Sequence, residues 1–241
     1  MESSYKLVVS IKAARLINEN LEKISSAIGT RIIPIFIISS NPYHPVNTHS
    51  DTNVLKIDKT LFINANTRFY PEIPFNKYTV IKIPLGKKWP LSTLINIFIS
   101  RKKVAILNPK TSSPLVKSLL EKKSFTFIHT KQSYAACSCI EIGDTIVTSD
   151  KGIYKTLRKK GIPTQLFSSN IKLPGPINTK IHTGFIGGAC FSWQNNTLFS
   201  FGYSKELQKI CSEYNLKYIP LQFHNVKMNN VIYDFGGGVF I

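Results

Sequence analysis

The feature that most constrains this chain is a repeated pattern of apolar alternation, a two-residue polar break, and apolar residues again. Each copy predicts a tight β-hairpin, because alternate side chains of a strand point to opposite faces and a polar pair suits a two-residue turn. The copies occupy residues 53–63, 96–107, 138–148 and 189–200, with breaks at Asp58-Lys59, Arg101-Lys102, Gly143-Asp144 and Asn195-Asn196. Repetition of this kind indicates that one structural unit recurs along the chain.

Three of the hairpins are followed by apolar residues at helical spacing and then by another apolar run. The helical segments are 115–120, 153–157 and 207–211, and the runs after them are 125–128, 162–167 and 216–221. The predicted unit is therefore hairpin, helix, strand. The first copy differs, because residues 67–77 include Pro71 and Pro74 and show no helical pattern.

The two ends of the chain resemble one unit cut in two. Residues 5–9 predict a strand, residues 14–28 a helix that stops at Gly29, and residues 31–38 a buried strand. Residues 239–241 predict a last strand, which would complete this unit by pairing with residues 7–9 and would remove exposed sheet edges. We therefore expect an α/β fold, a five-bladed α/β propeller of ββαβ units around a pseudo-fivefold axis, as a single domain over residues 1–241. The alternative is an ordinary open α/β sheet.

The net charge of +18 comes from 31 basic and 13 acidic residues and suggests a polyanionic partner. Lysine dominates over arginine, however, and no RNA-binding aromatic signature accompanies the charge, so a solvated basic surface is favoured over nucleic-acid binding. The five histidines and four cysteines show no metal-type spacing, and we expect no metal and no cofactor. Without an export signal or a long apolar run, we expect a cytoplasmic protein with reduced thiols and no membrane partner. The sequence carries no signal for an oligomeric state.

Candidate site residues lie where predicted strands begin, since these starts would converge on the axis of a ring. The segments are 49–51, 132–138, 184–190 and 233–238. Their glycines permit close backbone approach to a ligand, although crowding of strands at an axis explains them equally well. In the neighbouring segment 148–153, Ser149 or Asp150 is expected to cap a helix.

Several motifs together resemble a family of uncharacterised, mainly bacterial proteins of the guanidine-modifying-enzyme fold, also called the pentein fold. The motifs are Tyr134 with Cys137-Ser138, residues 146–154, Lys160-Gly161-Ile162, residues 173–175, residues 184–188, Asp234 to Val239, and His49-Ser50-Asp51 in place of that family's His-Pro-Asp. The resemblance implies the same five-unit fold and a site in a central cleft.

Catalytic penteins attack the guanidino carbon with a cysteine thiolate, move protons with a histidine, and hold the guanidinium with carboxylates. Asp51 fits the position of an early guanidinium-binding carboxylate. The region that resembles the catalytic-histidine strand has Tyr134 and Cys137 but no histidine, and the C-terminal region around Gly236 has no cysteine. The resemblance therefore implies the fold without the standard Cys-His pair, and whether the chain is an enzyme stays open.

Three hypotheses follow. The first, which we favour, is binding of a small cationic, guanidino-type ligand without covalent catalysis. Its candidate residues are Asp51, Tyr134, Gly187, Gly188, Asp234 and Gly236. The second is a divergent guanidino-group hydrolase or amidinotransferase with Cys137 or Cys190 as nucleophile and His49 or His182 as base, beside Asp51. The third is a non-enzymatic RNA- or ribosome-associated scaffold, for which the positive charge would be suitable.

Overall fold

The computed structural model describes residues 4–39, 48–72, 75–86, 91–174, 183–194, 196–224 and 229–241. In chain order the strands are β1 (Tyr5–Ser10), β2 (Ile32–Ser39), β3 (Val54–Ile57), β4 (Thr60–Asn64), β5 (Thr67–Tyr70), β6 (Thr79–Ile83), β7 (Phe98–Ile99), β8 (Val104–Leu107), β9 (Thr126–His129), β10 (Cys139–Ile142), β11 (Thr145–Thr148), β12 (Thr164–Leu166), β13 (Ile171–Lys172), β14 (Cys190–Trp193), β15 (Thr197–Tyr203), β16 (Lys217–Leu221), β17 (Val231–Tyr233) and β18 (Gly238–Phe240). The helices are α1 (Ala14–Glu19), α2 (Leu21–Ile28), α3 (Ser50–Asn53), α4 (Pro114–Lys122), α5 (Ala135–Ser138), α6 (Lys151–Lys159) and α7 (Lys205–Glu213), with short 3₁₀ turns at Ile11–Ala13 and Leu91–Thr93.

The four predicted hairpins are confirmed as antiparallel pairs. They are β3 with β4, β7 with β8, β10 with β11, and β14 with β15. Each of the four turns contains a residue with left-handed backbone, with φ of 51° at Asp58, 56° at Lys103, 56° at Gly143 and 42° at Gln194. Of the fourth predicted break, Asn195 lies outside the described residues.

The second strand of each hairpin pairs in parallel with a later strand, so that β4 pairs with β6, β8 with β9, β11 with β12, and β15 with β16. The predicted helices α4, α6 and α7 make three of these crossovers. Asp150 caps α6 as predicted, because its Oδ1 accepts the backbone N–H of Ile153 at 2.7 Å. The first crossover contains β5 instead of a helix, and β5 pairs antiparallel with β2 of the neighbouring sheet.

The chain ends also pair. Leu7 lies opposite Phe240, and Val9 lies opposite Gly238, in an antiparallel pair of β1 with β18, while β2 runs parallel to β1. Among the described residues, one three-strand arrangement therefore occurs five times, each time in a different small sheet. In each case a central strand has an antiparallel neighbour and a parallel neighbour. The fold is mixed α/β.

The predicted helix over residues 14–28 is wrong in one respect, because it is divided into α1 and α2 at Asn20. The Asn20 side chain is buried and donates hydrogen bonds to the carbonyl oxygens of Leu16 and Gln222, both at 2.8 Å. This tertiary contact fixes a break that local spacing does not reveal. Gly29 ends α2 as predicted, in the left-handed region with φ of 72°.

The described residues contain no helix long and apolar enough to cross a lipid bilayer. Basic residues cluster at 101–103, 122–123 and 158–160, and these clusters are largely exposed. Two of their lysines form ion pairs at the hairpin turns, Lys123 with Asp58 at 2.6 Å and Lys102 with Asp144 at 3.3 Å. Exposed pairs of this kind contribute about 0–1 kcal/mol, so they do not organise the fold.

Candidate functional site

The four segments selected from the sequence meet through their backbones. The amide of Asp51 and the hydroxyl of Ser50 donate to the carbonyl oxygen of Gly236 at 3.1 Å and 2.6 Å. The amide of Gly188 donates to the carbonyl oxygen of Cys137 at 3.1 Å, and that of Gly237 to the carbonyl oxygen of Gly188 at 2.7 Å. Segments that are far apart in sequence therefore form one buried cluster, which we call the carboxylate cluster: His49, Asp51, Asn96, Cys137 and Asp234.

Asp234 is held mainly by backbone amides. Its Oδ2 accepts the N–H of Phe185 at 2.8 Å, and its Oδ1 accepts the N–H of Gly236 at 3.0 Å. Nδ1 of His49 lies 3.6 Å from the same Oδ1, and both side chains are 2% exposed. Burial raises the pKa of Asp234 to about 6, although the two backbone hydrogen bonds act in the opposite direction.

Asp51 differs from Asp234 in its surroundings. The residue reaches the surface in part, but both of its carboxylate oxygens are buried and neither has a hydrogen-bond partner of ordinary geometry among the described residues. Burial raises the pKa of Asp51 well above its usual range, and the negative charge of Asp234 raises it further. The Cys137 thiol and the backbone amides of Thr52 and Asp51 are close enough to interact with the carboxyl, and they partly oppose this rise in pKa. Without a bound cation, these surroundings favour the protonated, neutral form of the Asp51 carboxyl.

Cys137 is placed by Asn96. Nδ2 of Asn96 donates to Cys137 Sγ at 3.1 Å and to the carbonyl oxygen of Asp51 at 3.0 Å, and its Oδ1 accepts the amide of Ala136 at 2.9 Å. Burial raises the pKa of the Cys137 thiol well above its usual range, and the charges of Asp51 and Asp234 contribute in the same direction. The ligand-free site therefore favours the neutral thiol.

Close packing accounts for the glycines of this region. A Cβ on Gly188 would lie 2.0 Å from Asp234 Oδ1, and one on Gly187 would lie 2.1 Å from the carbonyl oxygen of Ala136. Gly236 has φ of 86°, and a Cβ there would meet Cβ of His49 at 2.3 Å. These three glycines allow the backbone to pack directly against the carboxylate cluster. Close packing is one of the two explanations that the sequence offered for the glycines, the other being contact with a ligand.

Two aromatic rings lie beside the cluster. Tyr134 and Phe185 are both partly buried, and their rings are stacked with centroids 6.4 Å apart and planes inclined by 15°. Tyr134 directly precedes α5, which carries Cys137. Burial raises the pKa of the Tyr134 hydroxyl, and the charge of Cys137 adds to this effect.

Cys190, the other proposed nucleophile, has a different environment. It lies in β14 within an apolar cluster that includes Ile186, Leu198 and Cys211. Burial raises its pKa well above the usual range, with smaller contributions from Cys211 and Asp234. These surroundings fit a core residue, and all four cysteines are free and buried. The proposed base His182 lies outside the described residues.

Sequence reasoning missed Asn96 and Phe185. Asn96 is 2% exposed and precedes β7, the first strand of the second hairpin. The other candidate segments were chosen because they lie where predicted strands begin, and Asn96 begins the second predicted hairpin, so the repeat itself points to this position. Phe185 lies inside the selected segment 184–190, but only the structure shows its stacking on Tyr134.

The comparisons with known proteins are consistent with this picture. The model of a family of unknown function (DUF6873) matches residues 8–238. A search of the curated proteins gives no significant match.

Solved structures give clearer similarities. An inosamine-phosphate amidinotransferase from Streptomyces griseus aligns with a TM-score of 0.53 and 10% identity, over 97% of this chain and 94% of that one. A dimethylarginine dimethylaminohydrolase aligns with a TM-score of 0.52 and 9% identity, over 92% and 93%. The N-terminal domain of the arginine dihydrolase ArgZ from cyanobacteria aligns with a TM-score of 0.52 and 10% identity, over 90% and 92%, while the chain covers 36% of the longer ArgZ chain. At these identities the similarity shows the fold alone, which is the pentein fold of guanidino-modifying enzymes.

Proposed function

We propose that this chain, which belongs to the family of unknown function DUF6873, binds a small cation of the guanidino class at Asp51 and Asp234. The observation that carries the proposal is the pair of buried Asp51 oxygens, which lack ordinary hydrogen-bond partners in the described structure and lie near a second buried carboxyl. A buried carboxyl without well-formed hydrogen bonds is costly, and a bound cation with several N–H donors would supply both charge and hydrogen bonds.

A guanidinium group suits these requirements better than a single ammonium. Its planar fork of N–H donors matches the two oxygens of a carboxylate and keeps its charge at every physiological pH. The raised pKa values of Asp51 and Asp234 imply that such a ligand would displace protons when it binds. The proposed site thus exchanges protons for a cation.

The fold supports the choice of ligand class. The structures that share it are named as an arginine dihydrolase, a dimethylarginine dimethylaminohydrolase and an amidinotransferase, whose substrates or transferred groups contain a guanidino or amidino carbon. We also propose that the five repeated three-strand units stand around one axis with the carboxylate cluster at its centre. Two observations support this arrangement. Segments that precede three of the hairpins converge through backbone hydrogen bonds, and β1 pairs with β18.

A second candidate function is cysteine-dependent cleavage or transfer of the guanidino group at Cys137. The contact that favours it is the hydrogen bond from Asn96 Nδ2 to Cys137 Sγ at 3.1 Å, because an N–H donor directed at sulfur stabilises a thiolate. In such a reaction the thiol proton passes to Asp51 and a C–S bond forms at the guanidino carbon. The leaving amine then departs with a proton, and water or an acceptor amine breaks the C–S bond. A bound cation would offset the carboxylate charges that now disfavour the thiolate.

A thermal-shift screen tests the first function. Wild-type protein is heated with arginine, agmatine, methylarginines, creatine or peptidyl-arginine, and a ligand of the native state raises the melting temperature. We expect at least one compound to do so, and we expect the shift to disappear in Asp51→Asn. The matched control is Asp144→Asn, because Asp144 is an exposed carboxylate at a hairpin turn. No shift with any compound would contradict the proposal.

The second function has its own test. Release of ammonia or of a ureido product from a compound that binds, lost in Cys137→Ser, would establish it.

A further inference from the structure

We infer that the exposed side of α6, together with the cleft beside its first turns, binds the phosphate backbone of nucleic acid without reading the base sequence. We call this region the α6 surface. It shares no residue with the carboxylate cluster, so the inference goes beyond the proposed function and does not rest on it. Its basic residues are Lys110, Lys131, Lys151, Lys155, Arg158, Lys159 and Lys160.

The distribution of charge over the helices is the first observation. α6 carries four basic residues and no acidic residue. In α1, α2 and α7 the acidic and basic residues are equal in number, and α4 has one basic residue in excess. A lysine-rich composition alone would raise the charge of all these exposed helices, so the excess on α6 is a property of this helix.

The arrangement of the basic side chains on α6 is the second observation. Lys151, Lys155 and Lys159 are exposed and follow one another at four-residue intervals, so they form a row with a spacing of about 6 Å along one side of the helix. Ile153 and Leu157 bury the other side. Like charges four residues apart destabilise a helix, so the fold gains no stability from this row.

The basic side chains of α6 also differ from the other basic clusters in their partners. In the described part of the chain, no basic residue of α6 forms an ion pair. The clusters at 101–103 and 122–123, by contrast, are paired with carboxylates of neighbouring hairpins, at distances of 2.6–3.3 Å. The charge of α6 is therefore available to a partner outside the protein.

A cleft of about 930 Å³ continues this charge beside the first turns of α6. Lys110 and Lys131, from the loops after β8 and β9, line the cleft and are exposed. The acidic lining residue is Asp150, whose oxygens already accept the backbone N–H of Ile153 at 2.7 Å and the side-chain amide of Gln132 at 3.2 Å. The cleft therefore presents ammonium groups that an anion could approach.

The chemistry of the α6 surface selects nucleic acid among polyanions. Protein interfaces have an apolar core, and amphipathic helices bind membranes by inserting apolar side chains. None of the large apolar side chains that are exposed among the described residues lies in α6. Nucleic-acid interfaces are polar and strongly positive, and lysines contact phosphates without identifying bases. The α6 surface has these properties.

The test measures binding of the full chain to a short fluorescent single-stranded RNA, and to a duplex DNA of the same length, by fluorescence anisotropy at about 50 to 200 mM salt. One variant combines Lys151→Gln, Lys155→Gln and Lys159→Gln. Its matched control removes the same charge from exposed positions outside the α6 surface, and combines Lys77→Gln, Lys205→Gln and Lys209→Gln. Glutamine is nearly as good a helix former as lysine, so both variants should fold, which circular dichroism will verify.

We expect wild-type protein to bind at least one of the two nucleic acids, with an affinity that falls steeply as salt rises. The α6 variant should bind at least about tenfold more weakly, and its logarithmic salt slope should be smaller by about 2, because three phosphate contacts are lost. The control variant should stay within about twofold of wild-type protein, since its lysines make no such contacts.

Three results would overturn the inference. The first is the absence of binding to either nucleic acid at low salt, and the second is an equal loss of affinity in the two variants, which would show that only net charge matters. The third is equally tight binding of polyglutamate, which would identify an acidic polypeptide as the partner. None of these results would affect the cation site, which is tested separately with guanidino compounds.

Discussion

Nδ1 of His49 lies 3.6 Å from Oδ1 of Asp234, with both side chains almost completely buried. This separation exceeds an ordinary N–H···O hydrogen bond, and the Asp234 oxygens already accept amides from Gly236 and Phe185. Asp234 is therefore a carboxyl with well-formed hydrogen bonds, whereas the oxygens of Asp51 have no partner of ordinary hydrogen-bond geometry among the described residues. In the proposed function, this difference assigns the primary contact with the cation to Asp51 and the second charge to Asp234.

Asp234 should make stability depend on pH. Its pKa is about 6 in the folded protein against an ordinary 3.8, so the native state holds more protons than the unfolded state between those values. The free energy of unfolding should therefore fall as pH rises from 4 to 6, by up to about 3 kcal/mol from this group. The raised pKa of Asp51 has the same sign and extends the fall to higher pH.

Chemical denaturation at intervals of pH checks this prediction. In Asp234→Asn the decline between pH 4 and 6 should be smaller than in wild-type protein, whereas the exposed-site control Asp144→Asn should retain it. Equal slopes in wild-type protein and Asp234→Asn would show that Asp234 titrates at its ordinary pKa.

Asn96 should be the most sensitive polar side chain near the site. Its amide joins the backbone of Asp51 and Ala136 to the sulfur of Cys137, and it is buried. Asn96→Ala leaves buried groups without partners and should lower the free energy of unfolding by about 2–4 kcal/mol. Urea unfolding measures the change, with the exposed Asn18→Ala as a control that should differ from wild-type protein by less than about 0.5 kcal/mol.

Cys137 should be poorly reactive in the ligand-free protein. Burial and the two neighbouring carboxylates raise its pKa, so little thiolate is present at pH 7. Iodoacetamide labelling followed by peptide mass spectrometry should show Cys137 reacting more slowly than a free thiol. Labelling faster than a free thiol would instead identify an activated nucleophile and favour the second candidate function.

Gly188 should tolerate no side chain, because a Cβ there would lie 2.0 Å from Asp234 Oδ1. Gly188→Ala should displace Asp234, lower the melting temperature and abolish any ligand-induced shift. The matched control is Gly152→Ala at the exposed start of α6, where the nearest contact is a side-chain oxygen at 3.1 Å and alanine favours the helix. A Gly188→Ala variant that keeps wild-type stability and ligand response would show that this packing is not required.

Local patterns were sufficient for much of the fold. Alternation located all four hairpins, and helical spacing located α4, α6 and α7, because each element buries one face against its own sheet. The features that could not be predicted depend on distant partners. The break at Asn20 depends on the carbonyl oxygen of Gln222, and the pairing of β5 depends on β2 in another sheet.

The candidate site was predictable in location more than in chemistry. The segments chosen at the starts of predicted strands carry His49, Asp51, Cys137 and Asp234. The structure brings these four residues together. Their roles remain predictions. The sequence did not indicate which group lies next to the Cys137 thiol, because this depends on the packing of α3 against α5. The thiol is contacted by Asn96 and influenced by Asp51.

The most direct test of the cation site is titration calorimetry of agmatine into wild-type protein and Asp51→Asn at pH 7.5. We expect saturable binding to the wild type, with proton release detected as a dependence of the heat on the buffer. Loss of one charge from a buried pair costs about 2 kcal/mol or more, so Asp51→Asn should bind at least about thirtyfold more weakly. Equal affinity in the two proteins would contradict the assignment of Asp51 as the cation-binding carboxylate.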